Sequence, residues 1–123
     1  YLTGSAEVNA ATQITYGEMR TLPETRALIV SAWKEIVEVA RAKGVDVGED
    51  IIPWCETSLD NFAADGMTSL GNDFRAERPV ELEGLTGTVV KMGAEVGVPT
   101  PIHSTIYALL KPAALRIEAS RSS

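Results

Sequence analysis

The sequence predicts an all-α domain, and three observations support that prediction. Apolar residues recur with helical spacing along most of the chain. Glycines and prolines stand where those helices would begin or end, and no segment alternates between apolar and polar residues as a strand does. A chain of 123 residues has room for one core, so we expect a single helical domain over residues 1–123.

The clearest helix is predicted over residues 24–43. Thr21 is its expected N-cap, Pro23 suits the first turn, and Gly44 is a typical residue just after a last turn. Its apolar positions follow the i, i+3, i+4 rule. The expected buried stripe is Leu28, Ile29, Ala32, Trp33, Ile36, Val37 and Ala40.

The remaining predicted helices carry weaker signals. They are the opening stretch to about residue 15, residues 53–65, a short helix from residue 68 or 69 to about 78, residues 81–95, and a helix after residue 101 that Pro112 should kink. The last two are expected to bury Leu85, Val89, Met92 and Val96, and Ile106, Leu109, Leu110, Ala113 and Ile117. Gly84 and Gly87 each cost a helix up to about 1 kcal/mol, which indicates close approach of another helix.

Composition excludes several classes of partner. Seventeen acidic residues against eleven basic ones give a net charge of −6, and no basic block is present. Such a chain would not neutralise a phosphate backbone or an anionic lipid surface, so neither nucleic acid nor a membrane is an expected partner. The single Cys55 cannot form an internal disulfide and fits a cytoplasmic protein; its place on an apolar stripe predicts a core residue.

Few residues carry recognisable chemistry. No Gly-x-Gly-x-x-Gly motif follows a strand and no P-loop is present, so the chain offers no dinucleotide or phosphate fingerprint. One histidine and one cysteine at unrelated positions cannot build a usual zinc site, so no metal is expected. His103, the one imidazole, is interpreted as a helix-start residue without a catalytic role.

Ser69 allows two interpretations, which the residues alone leave open. Its hydroxyl could cap a helix, which stabilises by about 1 kcal/mol, or it could bind a carboxylate beside the free N–H groups of a helix start. Glu81 suits the first turn of a helix, where negative charge is favoured. Asp73 could pair with Arg78 or Arg75 as an ordinary surface ion pair.

Several motifs, taken in order, resemble the C-terminal domain of the ketopantoate reductase family. Residues 69–73 read Ser-Leu-Gly-Asn-Asp, residues 78–82 read Arg-Pro-Val-Glu-Leu, and residues 87–90 read Gly-Thr-Val-Val. Gly-Val-Pro-Thr-Pro at 97–101 and Ile-Tyr-Ala-Leu-Leu-Lys at 106–111 follow, while Gly-Glu-Met-Arg at 17–20 precedes them. Each motif is weak alone, but their order and spacing match the family.

The resemblance implies an NADP-dependent oxidoreductase that reduces a 2-keto acid to a 2-hydroxy acid, classically in pantothenate and coenzyme A synthesis. A Rossmann domain would bind the cofactor, and this chain would be the helical domain, of the 6-phosphogluconate-dehydrogenase C-terminal type. Ser69 would then hold the substrate carboxylate. Glu81 would be the catalytic glutamate at the cleft, near the reacting oxygen and the cofactor ribose, where it can order a proton-donating lysine, and Asp73 would support the site.

The sequence departs from the family pattern in two ways, and these limit which family properties can be assigned to this chain. The family's general-acid lysine would fall just before Tyr1, so we expect this chain by itself to be inactive. The positions of two substrate-contacting asparagines hold Leu2 and Ala6, with Asn9 about one turn too far along. Thr86-Gly87 replaces an Asn-Gly pair, which favours a different, less polar 2-keto acid.

The alternative is a free-standing helical interaction module that kept the fold and lost the chemistry. A related reductase acting on another 2-keto acid is a third possibility. Without a Rossmann partner the helical domain would expose apolar surface, so we also expect a homodimer.

Overall fold

The computed structural model describes residues 4–78, 80 and 82–122, with backbone alone for 121 and 122, and within these ranges it contains helices but no strand. The all-α prediction is confirmed. The helices are α1 (Gly4–Thr12), α2 (Tyr16–Thr21), α3 (Pro23–Ala42), α4 (Ile51–Asn61), α5 (Ser69–Arg75), a π-helical turn (Glu83–Gly87), α6 (Thr88–Val96) and α7 (Pro101–Ser122). No helix among the described residues has both the length and the apolar character to cross a membrane.

The helix predicted over residues 24–43 is confirmed as α3. It ends one residue before the predicted limit, and Gly44 follows with a left-handed φ of +84°. Thr21 is not its cap: the N-cap is Leu22, and the Thr21 hydroxyl donates to the carbonyl oxygen of Gly17 at 2.6 Å. The buried residues of α3 are Ile29, Ala32, Trp33, Glu35, Val37 and Val39.

The helix predicted for the opening stretch to about residue 15 is confirmed as α1, and a second helix that was not predicted, α2, follows it. Gln13 has a φ of +57°, which breaks the first helix, and a capping box between Thr15 and Glu18 starts the second. Helix α1 has no apolar stripe because it is buried on nearly every side; its buried residues are Gly4, Ser5, Glu7, Val8, Asn9 and Ala10. Three polar side chains therefore lie inside the protein on one short helix.

Three predicted helix boundaries were wrong. Helix α4 starts at Ile51, before the predicted residue 53, because Pro53 is tolerated in a first turn, and it stops at Asn61 because Phe62 is extended at ψ 151°. Helix α5 ends at Arg75 instead of near Arg78. The prediction that Cys55 belongs to the core is confirmed, since it is fully buried.

The helix predicted over residues 81–95 begins, as far as it is described, with a π-helical turn. The Gly87 amide donates to the carbonyl oxygen of Leu82 at 2.9 Å, five residues back. A Cβ on Gly87 would lie 3.3 Å from Cε1 of Tyr107, so the expected close approach of another helix is confirmed at Gly87. The helix closes at Gly97, whose φ is +73°, as predicted.

Two residues of the predicted apolar stripes are exposed. Met92 is 38% exposed because Gly93 is the α6 residue that meets Thr100 and Val39. Leu109 is 66% exposed, so its assignment to the core was wrong. The inward face of α7 instead carries residues spaced by three, four and seven: His103, Ile106, Leu110 and Ile117.

Candidate functional site

Ser69 is the first residue of α5 and is exposed. The cap of this helix is Thr68, whose hydroxyl accepts a hydrogen bond from the Gly71 amide at 3.0 Å. The capping interpretation of Ser69 was therefore wrong, because its neighbour already performs that role. Helix α5 has only seven residues, so its dipole adds little, and the binding of a carboxylate by the Ser69 hydroxyl stays a prediction.

Asn9 of α1 holds the start of α5 in place. Its Oδ1 accepts hydrogen bonds from both the amide and the hydroxyl of Thr68, each at 2.9 Å, and its Nδ2 donates to the carbonyl oxygen of Ile14. The side chain is fully buried, so its polar atoms are used inside the protein. Asn9 therefore positions the residue next to Ser69 and does not reach a substrate itself.

Asp73 forms the ion pair that the sequence allowed with Arg78. The Arg78 Nε lies 2.9 Å from Asp73 Oδ1, and the Arg78 amide donates to the Asp73 carbonyl oxygen at 2.9 Å. Arg75 turns the other way and donates to Oε1 of Gln13 at 3.2 Å. Asp73 thus holds the segment that follows α5, and its supporting role in catalysis stays a prediction.

Glu81, the predicted catalytic and cofactor-contacting acid, lies outside the described residues. Close to it in sequence, Glu83 accepts hydrogen bonds from Lys111 and Tyr107 of α7. The hydrogen bond from Lys111, with a second from Tyr107, holds the pKa of Glu83 below its usual range. This exposed cluster ties the π-helical turn to α7.

A group that the sequence did not reveal lies between α1, α3 and α7. His103 Nε2 is 2.9 Å from Oε2 of Glu7, and His103 Nδ1 is 2.7 Å from Oε1 of Glu35. Glu35 also accepts hydrogen bonds from the backbone amides of Ile102 at 2.8 Å and His103 at 3.0 Å, so it caps the start of α7. Glu7 and His103 are fully buried and Glu35 nearly so. We call these three residues the buried trio.

The predicted position of His103 near a helix start is confirmed, but its surroundings differ from those of a surface residue. Burial lowers the pKa of its imidazole, while hydrogen bonds and charges from Glu7 and Glu35 raise it, and the balance leaves the pKa above 6.5. No sequence signal pairs His103 with carboxylates 68 and 96 positions earlier, since only packing brings them together.

The geometry indicates which chemistry this chain can supply. Ser69 carries an exposed hydroxyl that can donate to an anionic group, and the Thr68 that precedes it is held by Asn9 and caps α5. Among residues 4–78, 80 and 82–122 there is neither a strand followed by a glycine-rich turn nor a group of three or more His, Cys, Asp or Glu side chains arranged to hold a metal.

Known proteins share both the sequence pattern and the fold. The family described as ketopantoate reductase PanE/ApbA C terminal matches residues 3–114. A 2-dehydropantoate 2-reductase of Caulobacter vibrioides is 34% identical over 82 residues, which cover 67% of this chain and 28% of that protein. The dimeric ketopantoate reductase of Staphylococcus aureus superposes with a TM-score of 0.86 at 24% identity, over 93% of this chain and 40% of that one.

The fold also occurs in an enzyme with a different name. D-mandelate dehydrogenase, in a ternary structure with NADH and anilino(oxo)acetate, superposes with a TM-score of 0.82 at 17% identity, over 94% of this chain and 49% of that one. This chain thus spans less than half the length of each of these proteins. Because the family match extends over nearly the whole chain, the chain belongs to the ketopantoate reductase PanE/ApbA C-terminal family.

Proposed function

We propose that this chain is the substrate-side helical domain of an oxidoreductase that reduces a 2-keto acid to a 2-hydroxy acid. The observation that supports this most directly is the exposed Ser69 hydroxyl, at the position where the family resemblance puts the substrate carboxylate. Thr68 caps the helix in place of Ser69 and precedes it directly in the chain. A hydroxyl donating to a carboxylate makes a charge-assisted hydrogen bond, which is stronger than a neutral one.

The cofactor in this proposal is NADPH, held by a Rossmann domain outside this chain. The fold alone does not choose between the two nicotinamide cofactors, since D-mandelate dehydrogenase with the same helical fold binds NADH. The choice of NADPH comes from the sequence resemblance. Glu81 would lie where cofactor and substrate meet and order a proton-donating lysine supplied from outside the chain.

The substrate in this proposal is a small 2-keto acid, and 2-dehydropantoate is the first candidate because the relatives carry that name. Ala6 stands where the resemblance puts one substrate-contacting asparagine, and Asn9 is occupied by Thr68 and Ile14. Both observations favour a substrate with a less polar end than 2-dehydropantoate.

The test is a kinetic comparison in the product of the complete coding sequence. We expect NADPH-dependent reduction of 2-keto acids by that protein, and neither NADPH binding nor reduction by the 123-residue chain alone. A coding sequence that begins with a methionine close to Tyr1, and a product without keto acid reductase activity, would support the free-standing helical module instead.

We also propose a homodimer in a cytoplasmic protein. Trp54, Leu109 and Leu115 are each more than half exposed, and contact with a second subunit would bury this apolar surface. The one cysteine is free and buried, as in proteins of a reducing compartment. Sedimentation at micromolar concentration should give a dimer; a monomer would contradict this part of the proposal.

A further inference from the structure

The buried trio of Glu7, His103 and Glu35 has no part in the proposed reaction, although it connects three helices. Glu7 belongs to α1, Glu35 to α3 and His103 to α7, and these are the charged groups that face the imidazole from the helices packed around it. Buried ionisable groups are costly unless they are paired, so the arrangement needs a charge state that satisfies all three.

The position of the imidazole between two carboxyl groups favours its charged form. Nδ1 is hydrogen-bonded to Oε1 of Glu35 at 2.7 Å, whereas Nε2 lies 2.9 Å from Oε2 of Glu7 in an ion-pair contact whose angles do not make a hydrogen bond. A neutral imidazole carries a single N–H and would leave its other ring nitrogen facing a carboxylate, whereas an imidazolium presents an N–H and a positive charge to both ionised carboxylates. The raised pKa of His103 agrees with that assignment.

Loss of one proton from the His103 imidazolium would mainly affect its contact with Glu7 of α1. Glu35 is anchored to the start of α7 by two backbone amides in addition to the ring, and its contact with Nδ1 is the shorter one. The remaining proton therefore stays on Nδ1, and the Nε2 contact with Glu7 changes from an attraction to a contact between two hydrogen-bond acceptors.

A change at Glu7 is transmitted to the candidate site through α1. This helix has nine residues, and Asn9 stands two residues after Glu7 on a different face, where it binds Thr68. A short hydrogen-bonded helix moves as one body, so a displacement of Glu7 displaces Asn9 as well. Thr68 precedes Ser69 directly and caps its helix.

We propose that the buried trio is a positioning cluster for Ser69: the charged imidazole holds α1 where Asn9 binds Thr68, and loss of its proton shifts the start of α5. His103 is thus a positioning residue that acts through Glu7, Asn9 and Thr68. The proposal depends on the proposed function for what Ser69 binds, but the coupling itself is a property of this chain.

The experiment is an NMR titration of the isotope-labelled 123-residue chain from about pH 5 to pH 9, around the ordinary pKa of histidine. His103 is the one histidine in the sequence, so its ring C–H signal is unambiguous. We expect its midpoint above 6.5, and we expect the Thr68 and Ser69 amide shifts to follow the same midpoint. The Gly44 amide, at the far end of α3, is the internal control and should not follow it.

Two variants test whether the titration of His103 reaches Thr68 and Ser69 through Glu7 and Asn9. Glu7→Gln should lower the His103 midpoint and move the Thr68 and Ser69 midpoints with it. Asn9→Ala should leave the His103 midpoint in place while Thr68 and Ser69 stop following it, because the connection to α5 is cut.

The proposal is overturned if the Thr68 and Ser69 amides stay flat while His103 titrates in the wild-type chain, which would leave the trio with a structural role alone. A folded-state His103 midpoint below 6.5 would overturn it too. Both of these measurements use the wild-type chain, so neither depends on whether a variant folds. Absence of reductase activity would contradict the proposed function and leave these amide shifts unchanged, so the two failures are distinguishable.

Discussion

A Cβ atom on Gly71 would lie 2.1 Å from Oδ1 of Asn9, a distance that no real pair of such atoms adopts. Helices α1 and α5 therefore approach each other so closely that glycine is required at this position. The same Oδ1 accepts two hydrogen bonds from Thr68, so the close approach and the grip on the start of α5 belong to one contact.

Gly71→Ala should destabilise the chain by about 1–3 kcal/mol or more, because the added methyl group must displace Asn9 from its hydrogen bonds. Chemical denaturation measures the loss. In an Asn9→Ala background the close remaining neighbour is the flexible Met67 methyl group at 3.2 Å, so the same substitution should be close to neutral or stabilise by up to about 1 kcal/mol through helix propensity. Equal losses in both backgrounds would show that Asn9 is not the obstacle.

The buried trio should make stability depend on pH above the unfolded histidine pKa of 6.5. The pKa of His103 is raised in the folded protein, so its contribution is complete below the unfolded value of 6.5 and is lost as pH rises through the folded pKa. The melting temperature, followed by circular dichroism, should therefore fall across that window. His103→Gln should abolish this part of the pH dependence, and a wild-type melting temperature that rises there would contradict the sign.

Glu7→Ala should cost about 3–5 kcal/mol below pH 6.5, since it leaves a buried imidazolium with one carboxylate in place of two. Lys43→Gln is the matched surface control. Lys43 forms an ion pair with Glu95 at 3.2 Å, but both side chains are partly exposed, so its removal should cost about 0–1 kcal/mol. Losses of similar size at the two sites would mean that the trio contributes no more than a surface pair.

Ser69→Ala should change substrate binding but not stability, and Thr68→Ala should lower stability. Loss of the Ser69 hydroxyl removes a hydrogen bond to a charged substrate, which amounts to about 1.5–3 kcal/mol or roughly ten- to hundredfold in KM of the full-length reductase, with stability unchanged. Loss of the Thr68 cap should cost about 0.5–2 kcal/mol of stability. Steady-state kinetics and thermal unfolding on both variants check this pair, and a Ser69→Ala protein with wild-type KM would remove Ser69 from the substrate site.

Glu81→Gln should lower turnover in the full-length reductase with a smaller effect on KM, because it disturbs proton delivery and keeps nearly the same shape. Glu77→Gln is the control, since Glu77 is exposed on the same segment and has no proposed role. Matching kinetics for the two variants would show that the family role does not carry over to Glu81.

Local patterns were sufficient where the signal lies within a few residues. The i, i+3, i+4 spacing predicted α3, and Gly44 and Gly97 marked helix ends because left-handed backbone favours glycine. The capping box at Thr15 and Glu18 was an available signal for α2 that the prediction did not use. Leu109 was assigned to the core because apolar character alone does not tell which face of a helix meets its neighbours.

By itself, the sequence determined the all-helical class, the main helix and, through ordered motifs, the family and the candidate residues Ser69, Asp73 and Glu81. Tertiary structure alone decided that Thr68 is the cap, that Asn9 serves α5, and that Glu7 and Glu35 enclose His103. The physical reason is range: helix propensity and capping act over a few neighbouring residues. Buried polar groups instead find partners across 59 and 68 positions, and only the packing of whole helices brings these together.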